Sequence, residues 1–284
     1  MKIPSQRAIA KAMEKVPAFP ESVRRLLSLT SSLEYDPKDL VQVIRYDPVL
    51  TLKILKLVNS AYFGLSKPIA TIHHAVVFLG VNTIKNLALS AATVGVLPGS
   101  RAAGFRSHAF WRHSLAVAVA SKRIAREMGV GRIESEDYFV AGLLHDVGKT
   151  VLACFFQKEF ELSLQEAAKR NSPLHVQERE VFGLCHADIG GMLGEKWQLP
   201  ARLDGSIRGH HGPFQSQGAS EMSCCVFLAD LACRVLHIGS AGNPVLDAVP
   251  DTLYDRVGMD LEQAVDLLKD LGEEMDKARI FMTL

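Results

Sequence analysis

The sequence carries almost no net charge. Its 32 Lys and Arg residues stand against 31 Asp and Glu, a formal +1, so it builds no broad basic surface and no nucleic-acid partner is expected. Its five cysteines, Cys154, Cys185, Cys224, Cys225 and Cys233, are odd in number and form no C-x-x-C pair. That argues against a spaced structural zinc site and for reduced thiols, as in a cytoplasmic protein. Polar residues interrupt every apolar stretch well before 18 positions, so no membrane-spanning helix is expected. The opening MKIPSQRAIAKAMEKVP has no apolar centre of signal-peptide length. G-x-S-x-G, the P-loop and G-x-G-x-x-G are all absent, which leaves acyl transfer and nucleotide-binding folds without support. No internal repeat and no low-complexity segment occurs, and no segment alternates well enough to claim a sheet.

What is there is helical patterning, and an all-α fold follows. A helix is predicted from Pro20-Glu21 to about Ser31. Asp36-Pro37 and Asp47-Pro48 each read as an N-cap followed by proline in the first helical position. After the second, Leu50, Ile54, Leu57 and Val58 share a face, with Gly64 as the stop. Thr71 suits a cap for IHHAVVFLG, and a further helix covers about 82–95. A long helix is predicted from Ser107 to Met128, ending at Gly129, followed by helices over 135–156, 158–171, 174–183, 186–197, 200–210, 219–237 and 259–271. HHGPFQSQG and AGNPVLDAVPDT read as loops. LPGS at 97–100 is the best internal boundary. It divides an N-terminal helical part (1–100) from a helical core (101–240), and a C-terminal helical extension (241–284) follows. That extension has an apolar stripe that could dock on its own core or on a second subunit.

The unusual residues cluster after that boundary. Of ten histidines, only His73 and His74 precede residue 100. Phe110, His113, Val117, Ala120 and Ile124 form an apolar helical seam, so His113 faces the core, either bonded to a carbonyl or as a ligand. Asp230 sits in SCCVFLADLACRVL, apolar on nearly every face. A buried carboxylate there needs a counter-charge, either Arg234 one turn on or a metal ion. In AGLLHDVGKT an apolar approach leads to His145-Asp146, Gly148 allows close approach or a bend, and Lys149 lies one turn from His145. His210-His211 precedes a Gly-Pro loop and His186 opens a helix. Imidazole and carboxylate suit Fe, Mn, Zn or Ni, and a two-metal site needs roughly six or seven protein ligands with a bridging carboxylate. His113, His145, Asp146, His186, His210, His211 and Asp230 supply that set if their helices converge. His73, His74, His175 and His237 read as structural or surface residues, His108 as off the seam, and Trp111 and Trp197 as packing anchors.

The order His113, His145-Asp146, Asp230 resembles the ligand set of the HD superfamily of metal-dependent phosphohydrolases. HDVGK is similar to the HD-GYP branch, which hydrolyses cyclic di-GMP. By that resemblance His186, His210 and His211 complete a second metal site, Asp146 bridges two divalent transition-metal ions (Fe, Mn, Ni or Zn), and Lys149 meets substrate phosphate. If the chain is an enzyme, Lys149 and Asp146 are its catalytic residues. Over roughly residues 15 to 237 the chain most resembles the HDOD family, HD-related output domains of bacterial signalling proteins. The segments that carry this are VPAFPESVRRLLSL, DPKDLVQVIRYDPVLTLKILKLVNSAYFG, IATIHHAVVFLGVNTIKNLALS, FVAGLLHDVGK, HADIGGMLGEKWQLP and IRGHH. The resemblance implies an HD-type helical core preceded by an N-terminal helical subdomain, signalling-protein partners and no membrane. It also allows a phosphate-containing small molecule, as in hydrolysis of a nucleotide or cyclic nucleotide. Many HDOD members lack several of the metal ligands, whereas all seven positions are kept here. The segment HHGPFQSQGAS lacks Gly-Tyr-Pro, which speaks against cyclic di-GMP hydrolysis. No receiver, GGDEF-like or kinase segment is attached, so the chain is expected to be an output domain standing alone.

Overall fold

The computed structural model describes residues 4, 6–31, 35–96, 105–212, 220–242 and 245–283. Among them every regular element is helical. Local chemistry sets three of the helix starts in the first half. After α1 (Gln6–Lys15) and α2 (Glu21–Ser31), α3 (Pro37–Arg45) begins where the Asp36 carboxylate accepts from the Lys38 amide at 2.9 Å. The start of α4 (Pro48–Val58) is fixed by Asp47 accepting from Leu50 at 2.9 Å. Leu50, Ile54, Leu57 and Val58 are all buried, as their spacing predicts. This helix stops at Val58, ahead of Gly64, because the Asn59 side chain turns the chain by bonding Leu55 and both backbone groups of Ile69. Thr71 caps α5 (Ile72–Leu79), and α6 (Val81–Val96) follows. The LPGS boundary lies outside the described residues.

The second half is built around α7 (Ser107–Glu127), whose predicted seam is buried throughout. It packs along α8 (Ser135–Leu144) and α14 (Glu221–Val235). A Cβ at Gly142 would strike the Val117 carbonyl and the Ala118 backbone, so glycine is what lets α8 approach α7 this closely. The single helix predicted over 135–156 is two helices. It breaks at His145-Asp146 and resumes as α9 (Val147–Phe155). The reason is tertiary. Gly148 at the start of α9 lies against the backbone of α12 (His186–Trp197), where a Cβ would collide with the His186 carbonyl. Residues Ser135–Phe155 are together long and apolar enough to cross a membrane, which the sequence reading did not anticipate. However, 89% of their apolar window is buried inside the protein, so this is core.

Between α9 and α12 lie α10 (Gln157–Arg170) and α11 (Leu174–Phe182), and α13 (Ala201–Gly209) follows. Trp197 is fully buried, stacks on Phe19 at 4.6 Å and donates to the Pro17 carbonyl, tying the first turns of the chain to α12. The terminal region is more broken than the one helix predicted over 259–271. It forms α15 (Thr252–Val257), α16 (Leu261–Leu267) and α17 (Leu271–Ala278), then a closing 3-10 turn. It docks on its own core. Arg123 pairs with Asp270 at 2.7 Å, and Phe281 packs on Tyr62 and Phe139.

Candidate metal centre

Six helices and the turns at their ends bring the seven predicted residues to one place. His113 comes from the middle of α7, His145-Asp146 from the α8–α9 break, and His186 from the first position of α12. His210-His211 comes from the end of α13, and Asp230 from α14. Six of them are no more than 1% exposed. The His113 Nε2 lies 2.9 Å from Asp230 Oδ1, and His145 Nε2 lies 3.2 Å from Asp146 Oδ2 and 3.9 Å from Asp230 Oδ1. On the other side His186 Nε2 lies 3.1 Å from Asp146 Oδ1, and His210 Nε2 is 3.7 Å from the same oxygen. Asp146 thus turns one oxygen to each half.

The outer nitrogens explain the orientation. His145 Nδ1 donates to the Gly142 carbonyl at 2.7 Å, and His210 Nδ1 donates to the Ile207 carbonyl at 2.8 Å. A carbonyl only accepts, so the proton is on Nδ1 and the Nε2 lone pair faces the centre. His186 Nδ1 meets the Glu178 carboxylate at 2.5 Å, and the same oxygen accepts from the His186 amide. His113 Nδ1 faces the Ile238 carbonyl at the longer distance of 3.4 Å. Carboxylates and carbonyls behind histidine ligands are the usual means of fixing ring and tautomer at metal sites.

The inward atoms are left unsatisfied. The Nε2 of His113 and His145 and the Oδ1 of Asp146 and Asp230 are buried without a hydrogen bond. Three histidine Nε2 atoms crowd one another, with His186 3.3 Å from His210 and 2.9 Å from His211. With their protons on Nδ1, His186 and His210 face each other lone pair to lone pair and repel in a dry site, whereas His211 can donate its Nε2–H to His186. Buried polar groups without partners are costly. Ligands about 2.0–2.2 Å from a tetrahedral ion lie roughly 3.3 Å apart, so these separations suit cations between them. The groups Asp146, His186, His210, His211 and His113, His145, Asp146 could each hold a metal ion.

The electrostatics agree. Burial by itself raises the Asp146 carboxyl, but His145, Lys149 and His186 together hold it well below the carboxylate range. Asp230 is likewise held down against its burial, chiefly by Arg234 and then by His113. Burial lowers His210 to about 4, and burial with the neighbouring histidines puts His211 well below its usual value, so both are neutral at pH 7, the form in which imidazole can bind a metal. His186 also feels its burial, yet Glu178 turns the net shift upward. Lys149 is fully buried and donates to Asp146 Oδ2 at 2.7 Å. Of the two partners offered for Asp230, Arg234 is in place, with Oδ2 at 3.2 Å from its guanidinium, while Oδ1 faces His113 and His145.

His73, His74, His108 and His237 are exposed, as expected. His175 is not a bystander. It stacks on His211 with centroids 4.2 Å apart, and its Nδ1 lies 3.2 Å from Asp247. Sequence reasoning also missed Glu178 and Asp247. Glu178 lies within an ordinary amphipathic helix and Asp247 within a loop, and neither is marked by spacing.

Helices of this kind around a His, His-Asp, His, His-His, Asp centre define an HD-like all-α protein. More narrowly, the HDOD domain matches residues 16–213, and the chain belongs to the HDOD family. It is similar to a solved HDOD domain protein of unknown function from Geobacter sulfurreducens, at 24% identity and a TM-score of 0.76 over 96% of both chains. It is also similar to a supposed phosphohydrolase from Shewanella amazonensis SB2B, at 23% identity and a TM-score of 0.73 over 96% of this chain and 98% of that one. At such identities the likeness speaks for the fold. An uncharacterized protein of Treponema pallidum (strain Nichols) is 26% identical over 257 residues, covering 90% of this chain. The chain spans 48% of that relative's length.

Proposed function

We propose that this HDOD chain is a bacterial regulatory module whose seven His and Asp residues hold two divalent transition-metal ions. The observation that carries the reading is the convergence of buried, unsatisfied Nε2 and Oδ1 atoms from separate helices, with the outer nitrogens anchored behind them. In this reading His113, His145 and Asp230 serve one ion, His186, His210 and His211 the other, and Asp146 both. A signalling role is favoured by the family and by burial. With side chains 0 to 2% exposed at His113, His145, Asp146, His186 and Asp230, a substrate reaches the centre only after a movement. The partner would then be another signalling protein.

A second reading, a phosphohydrolase acting on a nucleotide or cyclic nucleotide, is favoured by Lys149. A buried ammonium on the bridging carboxylate is suited to offset charge developing on a phosphoryl group. When bound, paired divalent ions supply Lewis acidity and lower the pKa of water. Lys149 would orient the phosphate, and the apolar walls from α7 and α14 would exclude bulk water.

Two assays test the proposal. Metal content is measured on tag-free protein purified without chelator, beside His145→Ala/Asp146→Ala. About two equivalents, lost in the variant, are expected; no metal in either would overturn the centre. The metal-loaded protein is then given a panel of phosphomonoesters and diesters. No turnover is expected of a regulatory module. Turnover abolished by Lys149→Ala would establish the second reading in its place.

A further inference from the structure

Arg234 holds two carboxylates. Its guanidinium lies 3.2 Å from Asp230 Oδ2 and 3.0 Å from Asp247 Oδ2, and it also donates to the Val245 carbonyl, pinning the loop that carries Asp247. The two aspartates are used alike. Each gives its Oδ2 to Arg234 and turns its Oδ1 toward a pair of histidines. Asp230 Oδ1 faces His113 and His145 at 2.9 and 3.9 Å, and Asp247 Oδ1 faces His175 and His211 at 3.2 and 3.8 Å. The second cluster repeats the donor set and the spacing of the first on the other side of one arginine.

We propose that His175, His211 and Asp247 form a third divalent transition-metal site. The proposal rests on the central reading in one respect, because His211 is shared: its Nε2 faces His186 and its Nδ1 faces Asp247. The His211 and His175 Nδ1 atoms are buried and make no hydrogen bond, which is the condition of the inward atoms at the centre. The three donor atoms lie within 4.8 Å of one another, and the separations bracket the roughly 3.3 Å expected between ligands of a tetrahedral ion. Two imidazoles and one carboxylate select Zn, Ni or Co over Mg or Ca. Three protein ligands leave a coordination position open. His175 is 19% exposed, where the side chains of His113, His145, His186 and His210 are 0 to 1% exposed. The charge states suit the role. Burial alone raises the Asp247 carboxyl, but His175 and Arg234 hold it anionic, and His211, whose neutral ring offers one lone pair, would bridge the two ions as an imidazolate by releasing its N–H proton to solvent. The site is the more exposed of the two and has fewer ligands, so its affinity is the weaker.

The test is a count. Tag-free protein is stripped with chelator and titrated with Co2+ under equilibrium dialysis, beside His175→Gln, a residue outside the central seven. Wild type is expected to bind one equivalent more than His175→Gln, and the difference disappears at low metal concentration because the extra site fills last. Circular dichroism of the metal-free variant checks that it folds. Should the glutamine side chain itself disturb α11, His175→Ala gives the same comparison. Equal binding by wild type and both folded variants, at about two equivalents, would overturn the third site and leave the central one standing. A wild type that binds no Co2+ would overturn both.

Discussion

His73-His74 and His210-His211 are the same dipeptide in two halves of one molecule. The first pair lies in the opening turn of α5 and is exposed. The second ends α13, where His210 is 1% exposed with its ring locked to the Ile207 carbonyl. The difference extends to the halves themselves. The N-terminal helices use their carboxylates as caps, at Asp36 and Asp47, and bury almost only apolar side chains. The second half buries His113, His145, Asp146, Lys149, Glu178, His186, His210 and Asp230. A polar side chain at the surface costs little to lose. One in a dry centre is held by its neighbours and holds them in turn.

The comparison is sharpened most by Asp146→Ala. Metal content by mass spectrometry should fall from about two equivalents to near none. The metal-free form should also lose about 3–5 kcal/mol of stability, because the buried Lys149 ammonium no longer has that carboxylate. Retained metal would break the assignment of Asp146 as the bridge.

Acid comes next. His210, with a pKa of about 4, and His211, also depressed, take up protons more readily unfolded, where the value is about 6.5. The unfolded chain therefore binds more protons between about pH 6.5 and 4, and stability must fall as pH drops through that window. The depressed carboxylates of Asp146 and Asp230 extend the loss below it. His186, shifted upward, works the other way, its contribution present at low pH and lost as pH rises through its folded value. Urea melts of metal-free protein at pH 7, 6, 5 and 4 should show this decline.

Glu178→Gln should weaken metal binding about 10- to 100-fold, as losses behind a ligand histidine do, measured by competition with a chromophoric chelator. An unchanged affinity would mean that Glu178 only fills the core. Asp47→Ala should cost about 1 kcal/mol as the loss of an N-cap, seen in a urea melt, with metal content unchanged. Smallest is His73→Ala/His74→Ala, expected within about 0.5 kcal/mol of wild type, with full metal content.

How much of this was legible differs between the halves. Asp36-Pro37, Asp47-Pro48 and Thr71 marked helix starts from a few adjacent residues, and those starts are where the sequence put them. The His113 seam was legible because a 3.6-residue period carries its own phase. The break at His145-Asp146 was legible only as a bend that Gly148 allows, since apolar residues run on through Val147 and Val151 and only the approach of α12 interrupts them. The fragmentation of the terminal helix escaped for a similar reason.

By itself the sequence determined the helical class, most helix starts, the family and which seven residues are chemically fit to gather. Local bonding and periodicity act over a few residues, so they can be read in order along the chain. Only the tertiary structure decided that those seven converge, that Glu178 backs one of them, and that His175 and Asp247 stand beside His211. Those contacts join residues far apart in the chain, and their geometry depends on how closely α8, α9 and α12 pack.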